Sequence, residues 1–383
     1  HGAGAGVCGH AEPITAESIT WAPTNADCVG VTYTGQERPE LVGTYVPIGL
    51  TDTGLEHHQS GDTRIERSLV QPWPTVTEPA PLQKGDPRVP MPEGEVYSPL
   101  WEGCNNMCKP VIPFDSNLLE RAYQHVSNRI CGLNKPIRGE VGPLSEHTAI
   151  VGIPGMDYYE PLNFSASEGF PLSRYRKSHE HNKRHLFQLS EQNGVLRCLG
   201  VDERLRDILT YKSNLRLQGI RPFTVFDDCL KDARIPSAQV HIRGKTRIFS
   251  ISPVDYTIQF KQMFGDFCAA FRYNRITLNH AIGINADSAE WGHLTRTLMD
   301  KGSNFCIGDY KNFGPGLNIE TLRKAANIIL DWYAAYEKSS SLHINQKIRR
   351  ILLEETITPY HCAHDFVYQT VSGLPSGNPA TDI

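Results

Sequence analysis

Phe366-Val367-Tyr368-Gln369-Thr370-Val371 runs directly into Ser372-Gly373-Leu374-Pro375-Ser376-Gly377 and on to Asn378-Pro379-Ala380-Thr381. The first six residues are mostly aromatic or β-branched and predict a strand. The next six predict a loop, because glycine accepts unusual backbone angles and lets a ligand approach the backbone closely. Ser376 and Thr381 add hydroxyls that can meet a ribose. An ordinary strand-to-helix turn has the same composition, so this stretch needs its neighbours to be read.

Upstream, Ile344 to Glu355 predicts a helix. Before it, Ile319, Leu322, Ala326, Ile329, Leu330 and Tyr333 recur at helical steps and predict a longer one. Phe305-Cys306-Ile307-Gly308-Asp309 predicts a short buried strand ending in a carboxylate. Such a carboxylate is costly unless solvated, paired or metal-bound. Mg²⁺ is commonly held by one or two carboxylates together with substrate phosphates; a strand-end Asp that caps the next turn is the plainer reading. Ser252-Pro253 predicts a helix start, with Ile258, Met263, Phe264, Phe267 and Phe271 on its apolar face. Asp115 or Ser116 predicts the cap of another helix, carrying Leu118, Leu119, Tyr123 and Val126. Strand, helix, helix, strand and glycine loop make an α+β arrangement.

Charge is uneven along the chain. The 383 residues carry a formal net charge of -4, yet residues 171–250 hold 16 Lys and Arg against 8 Asp and Glu. Within that block, Lys231-Asp232-Ala233-Arg234 and Arg243-Gly244-Lys245-Thr246-Arg247 form a basic ribbon. As a strand it would point Arg243, Lys245 and Arg247 to one face. Three cations on one face repel unless an anion sits among them, and Arg grips phosphate through paired hydrogen bonds. A solvated basic edge strand is the bland alternative.

The composition, with 39% hydrophobic and 21% charged residues and a mean hydropathy of -0.37, is that of a globular protein. It excludes disordered, collagenous and small disulfide-stapled classes, and no apolar run reaches the ~18 residues of a membrane span. The ten cysteines read as reduced thiols. Cys104 and Cys108, the cluster His179, His181 and His185, and the cluster His361, Cys362 and His364 all lack the spaced partner pair of a structural zinc site. Residues 1–65 read as the end of a β domain and a connector. Residues 66–113, rich in proline, read as a linker or a strap packed on another surface.

The order of basic ribbon, strand-end Asp and Ser-Gly loop resembles motifs F, A and B of the RNA-dependent RNA polymerases of picornavirus-like insect viruses, of iflavirus and dicistrovirus type. Gly308-Asp309-Tyr310-Lys311-Asn312-Phe313-Gly314 resembles motif A, and Pro375-Ser376-Gly377 with Thr381 resembles motif B. Ser167-Glu168-Gly169-Phe170-Pro171 resembles motif G, and Gly283-Ile284-Asn285 with Glu290-Trp291 also has the family's look. The resemblance implies a right-hand polymerase fold, here fingers plus a partial palm with the thumb missing. It implies Asp309 as catalytic residue and ligand of Mg²⁺ (or Mn²⁺). It further implies Lys231, Arg234, Lys245, Arg247, Ser376, Gly377 and Thr381 for the nucleotide, and Ser167, Gly169 and Pro171 for the template. The partners implied are RNA template and primer, NTPs and other viral replication proteins. The place implied is the host cytoplasm, at membrane-associated replication complexes.

Two departures accompany it. A second Asp that many relatives carry in motif A is Gly314 here, and no Gly-Asp-Asp motif occurs in the 383 residues. The chain is therefore expected not to extend a primed template by itself. At the start, His1-Gly2-Ala3-Gly4 resembles the glutamine-pocket motif of the chymotrypsin-like viral cysteine proteases. The expected division is a short β tail of a protease and junction over 1–36, with a possible cleavage bond at Gln36-Glu37. A fingers strap over 37–113, fingers over 114–300 and a partial palm over 301–383 follow. The competing readings are a cysteine protease using Cys8, which would need its partners upstream of the nucleophile, and a non-catalytic RNA-binding module.

Overall fold

The computed structural model describes residues 20–21, 30–57, 60–66, 76–379 and 381. The protease-like motif at His1 and the Cys8 alternative lie outside these residues. The first elements are strands β1 (Thr20–Trp21), β2 (Val31–Tyr33), β3 (Tyr45–Thr51) and β4 (Thr77–Pro79). Helices α1 (Pro99–Met107), α2 (Ser116–Leu133) and α3 (Glu146–Val151) follow. Then come the hairpin β5 (Phe187–Gln192) and β6 (Val195–Val201), helix α4 (Glu203–Gln218), and strands β7 (Ile220–Arg221), β8 (Val225–Leu230), β9 (Arg234–Pro236) and β10 (Ile248–Ile251). Helices α5 (Val254–Tyr273), α6 (Arg275–Leu278), α7 (Ala289–Met299), α8 (Ile319–Tyr336) and α9 (Leu342–Ile357) lead to β11 (Tyr360–Ala363) and β12 (Phe366–Thr370).

A six-stranded mixed sheet runs β10-β8-β11-β12-β3-β2. Only β8 and β11 pair in parallel within it; the other neighbours are antiparallel. Residues 31–33, expected in a separate tail, form one edge of this sheet, and Gln36 and Glu37 lie exposed in the connection from β2 to β3. The proline-rich segment is a strap. β4 pairs with β9, Tyr97 is buried, and the Thr246 hydroxyl donates to the Pro81 carbonyl at 2.7 Å.

Helix α5 is central to the core. Phe260, Met263, Phe264 and Phe267 pack with Leu330 and Tyr333 of α8 and Leu352 of α9, while Val254 and Ile258 join a second cluster with Leu205 and Leu209 of α4. Pro253 occupies the N-cap of α5 rather than its first turn. Asp115 caps α2 as expected, accepting from the Leu118 amide at 2.9 Å. The buried face of α2 differs from the expected one. Leu118 and Val126 are exposed, and Tyr123, Ser127, Ile130 and Cys131 are buried. The reason is polar: the Tyr123 and Ser127 hydroxyls both donate to the buried Asp331 carboxylate at 2.7 Å, which rotates that side inward.

Buried ion pairs lock the base of the helices. Arg216 of α4 donates two hydrogen bonds to Glu355 of α9, and both side chains are fully enclosed. Arg349 pairs with Glu337 at 2.6 Å and lies over the Tyr333 ring. Breaking either pair would strand a charge in a low-dielectric interior.

Candidate nucleotide-binding site

The basic ribbon lies in the segment that joins the antiparallel strands β8 and β10. The Lys231 amide donates to the Arg247 carbonyl at 2.8 Å, so the two cations leave the sheet side by side. The ribbon itself differs from the expected strand. Residues 241–247 are turns, and regular pairing begins only at Ile248. The cause is the 3-10 turn at Ser237–Gln239 and the anchoring of Thr246 on Pro81, which leave residues 241–247 no neighbouring strand.

The cations fall into two kinds. Arg243 donates to Glu102 of α1, with Nε–Oε1 at 2.8 Å, and faces Glu95 at 3.6 Å. Arg234 donates from Nε to the Thr77 hydroxyl at 2.9 Å and also to the Thr77 carbonyl. Lys231, Lys245 and Arg247 have no side-chain hydrogen bond or ion pair among the described residues. Asp232, between Lys231 and the rest, accepts from the Thr63 hydroxyl at 2.8 Å and the Arg64 amide at 2.7 Å. Its charge is thereby turned to the connector.

A cleft of about 530 Å³ opens on this ribbon. Lys109, Arg234, Arg243, Lys245, Arg247 and Lys311 line it, and no carboxylate among the described residues does. Lys109 and Lys311 were not singled out by sequence reasoning. Lys311 sat inside the quoted motif; Lys109 had no local signal, because α1 meets the ribbon only in the fold, through Glu102 on Arg243, Asn106 on the Gly244 carbonyl and packing of Trp101 and Met107 near Ile248. A second cleft of about 510 Å³ brings Lys231 and Arg64 together with Ser376.

The Ser-Gly loop is fastened from two sides. Gly377 bridges to Ile251 of β10, and a Cβ there would lie 2.1 Å from the Ser250 carbonyl oxygen. Only glycine fits that approach. On the other side, the Gly373 amide donates to Leu317 and the Leu374 amide to Gly314. The segment after Asp309 is thus tied to the loop. Thr381 turns its hydroxyl back to the Asn378 carbonyl at 2.7 Å, while Ser376 and Gly377 stay exposed.

Phe305–Asp309 is not a buried strand. The segment is irregular and exposed, with Ile307 at 94% and Phe305 at 56% exposure. A strand needs a neighbour to satisfy its backbone groups, and none of the described strands lies beside it. Asp309 is exposed, two residues before Lys311 at the basic cleft. Its hard oxygen donors suit Mg²⁺ as a single carboxylate ligand, with the remaining positions left to water and phosphate.

Ser167 to Pro171 folds over the start of α5. Gly169 has φ +74, and the Glu168 carbonyl accepts from the Val254 amide at 2.8 Å. The Glu168 carboxylate is fully buried and takes two hydrogen bonds from Arg176. Ser167 is partly exposed, whereas Gly169 and Pro171 are buried and shape the turn rather than its surface.

The family model for viral RNA-dependent RNA polymerase matches residues 71–383. The genome polyprotein of Deformed wing virus is 37% identical over 340 residues, which is 88% of this chain and 12% of that polyprotein. The replicase polyprotein of Acute bee paralysis virus (strain Rothamsted) is 32% identical over 276 residues, covering 72% of this chain and 14% of its own length. Among solved structures, a sicinivirus 3Dpol RNA-dependent RNA polymerase superposes with a TM-score of 0.65 at 18% identity, over 85% of this chain and 61% of that one. The likeness to that structure supports the right-hand polymerase fold. The chain spans a small part of these polyproteins and under two thirds of that polymerase. With its basic ribbon, its Ser-Gly loop and a family match over most of its length, the chain belongs to the viral RNA-dependent RNA polymerase family.

Proposed function

We propose that this chain supplies the nucleotide-binding and template-guiding part of an RNA-directed RNA polymerase of a positive-strand RNA virus. The observation that carries this is the cleft where six cations meet without a carboxylate of the described residues in the lining. A triphosphate is the ligand whose charge such a cleft balances. Arg247 and Lys245 bind it directly, and Lys231 meets the nucleotide from the neighbouring cleft beside Ser376, since no protein group engages these three side chains among the described residues. Arg234 and Arg243, already engaged, hold the wall in shape. Ser376 and the Gly377 turn face the sugar, and Ser167 lies along the template path.

The reaction is attack of a primer 3′-hydroxyl on the α-phosphate of an NTP, with pyrophosphate leaving. The chain's cations neutralise charge that grows on the phosphates, and their fixed positions avoid reorganisation in the transition state. Mg²⁺ or Mn²⁺, held by Asp309 together with nucleotide phosphates and water, supplies further charge neutralisation when bound. In this reading residues 114–300 are fingers and residues 301–383 are part of a palm. The division into 1–36, 37–113, 114–300 and 301–383 goes with it. Work in the host cytoplasm beside other replication proteins also follows from the family. No helix of the described residues is long and apolar enough to cross a membrane.

Equilibrium dialysis of labelled NTP against the full chain tests the reading. Lys245→Glu with Arg247→Glu abolishes binding, and Asp309→Ala leaves binding that no longer strengthens with Mg²⁺. Unchanged NTP affinity in the double charge reversal would exclude the site.

A further inference from the structure

On the far side of β8 from the core helices, three side chains of metal-binding type converge. His57 comes from the connector after β3, and Asp227 and Cys229 are alternate residues of β8 that share one face. Their ligand atoms all lie within 4.8 Å of one another. His57 Nδ1 is 3.5 Å from Cys229 Sγ and 3.7 Å from Asp227 Oδ1. Tetrahedral zinc, with Zn–S of ~2.3 Å and Zn–N of ~2.0–2.1 Å, sets its ligand atoms ~3.4–3.6 Å apart. The two edges that meet at His57 therefore already stand near the edge lengths of a zinc tetrahedron.

The geometry points to a zinc-binding site formed by His57, Asp227 and Cys229, which clips the connector onto β8 just before Lys231. The donor set selects the metal. A thiolate and an imidazole favour zinc over Mg²⁺, which prefers oxygen alone. One carboxylate and one thiolate bring two negative charges to the ion, and Asp227 shares its charge with Arg174. Binding of the ion would release the thiol proton of Cys229.

Arg174 bears on the same carboxylate, with its guanidinium 2.6 Å from Asp227 Oδ1, and its Nε donates to the Leu55 carbonyl at 2.9 Å. Ligating carboxylates are customarily hydrogen-bonded to further groups, and Arg174 donates to Asp227 at Oδ1 while holding the connector. The His57 side chain is 25% exposed, which leaves a way in for the ion. The alternative is a metal-free relay, in which the thiol donates to His57 and His57 to Asp227.

Metal content decides between them and needs no polymerase activity. The full chain, free of any histidine tag, is loaded with zinc sulfate, dialysed and analysed by plasma mass spectrometry. About one zinc per chain is expected, falling to roughly a tenth or less in His57→Ala and in Cys229→Ser. Cys362→Ser, a buried thiol outside the set, keeps it. Cobalt in place of zinc gives a thiolate charge-transfer band that Cys229→Ser lacks. Circular dichroism checks folding, and His57→Ala, on a connector, decides the matter if Cys229→Ser misfolds. Failure of the wild-type chain to retain zinc, or retention by the His57→Ala, Cys229→Ser double variant, overturns the site.

Discussion

Replacing Arg247 by alanine removes a guanidinium that no protein carboxylate neutralises among the described residues. Replacing Arg243 removes one that Glu102 and Glu95 already neutralise. Both line the same cleft, so charge counting alone makes them equal. The pairing makes them different. A hydrogen bond to a charged group contributes about 1.5–3 kcal/mol, so Arg247→Ala should weaken NTP binding by ~10- to 150-fold. Arg243 is half exposed and its ion pair is solvent-screened, a class of pair that contributes about 0–1 kcal/mol. Its loss also frees Glu102 at the cleft edge. The expected weakening for Arg243→Ala is therefore at most about fivefold, from that same range. The assay is a titration of labelled NTP at about 0.1 M salt, where the Debye length is ~10 Å and contact interactions dominate. Equal effects of the two substitutions, or a change below twofold for Arg247→Ala, would refute the assignment of free and engaged cations.

Other substitutions probe the frame of the site. Burial pushes the Lys261 amine down to about 8 although it donates to the Glu160 carbonyl. Between that value and ~10.4 the unfolded chain holds a proton that the folded chain has lost, so stability rises with pH across this window. Below pH 8 both states are protonated and the burial cost is undiminished. Lys261→Met should therefore raise stability by about 1–3 kcal/mol at pH 7, a gain that fades above pH 10, read from urea midpoints at both pH values. Asp228 accepts from His361, Tyr368 and Ser250, all buried; Asp228→Ala should cost about 3–5 kcal/mol in the same measurement. Arg216→Met alone should destabilise by about 3–5 kcal/mol, and adding Glu355→Leu should recover most of that loss in a double-mutant cycle. Gly377→Ala should lift the loop off β10 and cost about 1–3 kcal/mol, with increased amide exchange at Ile251.

Regular periodicity made the helices legible. Leu322, Ala326, Leu330 and Tyr333 are buried as their spacing predicts, and the expected Ile344–Glu355 helix extends to Leu342–Ile357. The site was legible as a set of residues but not as a geometry. Glu102, which occupies Arg243, lies 141 positions earlier, and no local pattern reports such a partner. The Phe305–Asp309 segment has strand composition, yet composition cannot supply the neighbouring strand that its backbone requires. The apolar face of α2 was misread because two hydroxyls serving Asp331 outweigh two leucine-type side chains. Asp227 and Cys229 stand out only once His57 is brought across from the connector.

The order of the large sheet sets a timetable for synthesis. Tyr45 pairs with Thr370, so β3 waits for a partner about 320 residues further along the chain. At ~5–20 residues per second, the ribosome delivers that partner ~15–65 s later. Until then β3, carrying only the three-residue β2, presents an open edge that invites pairing with other chains. Chains released before residue 360 lack both β11 and β12, the strands that join β8 to β3. They should collect in aggregates, while chains that include residues 360–370 escape that fate.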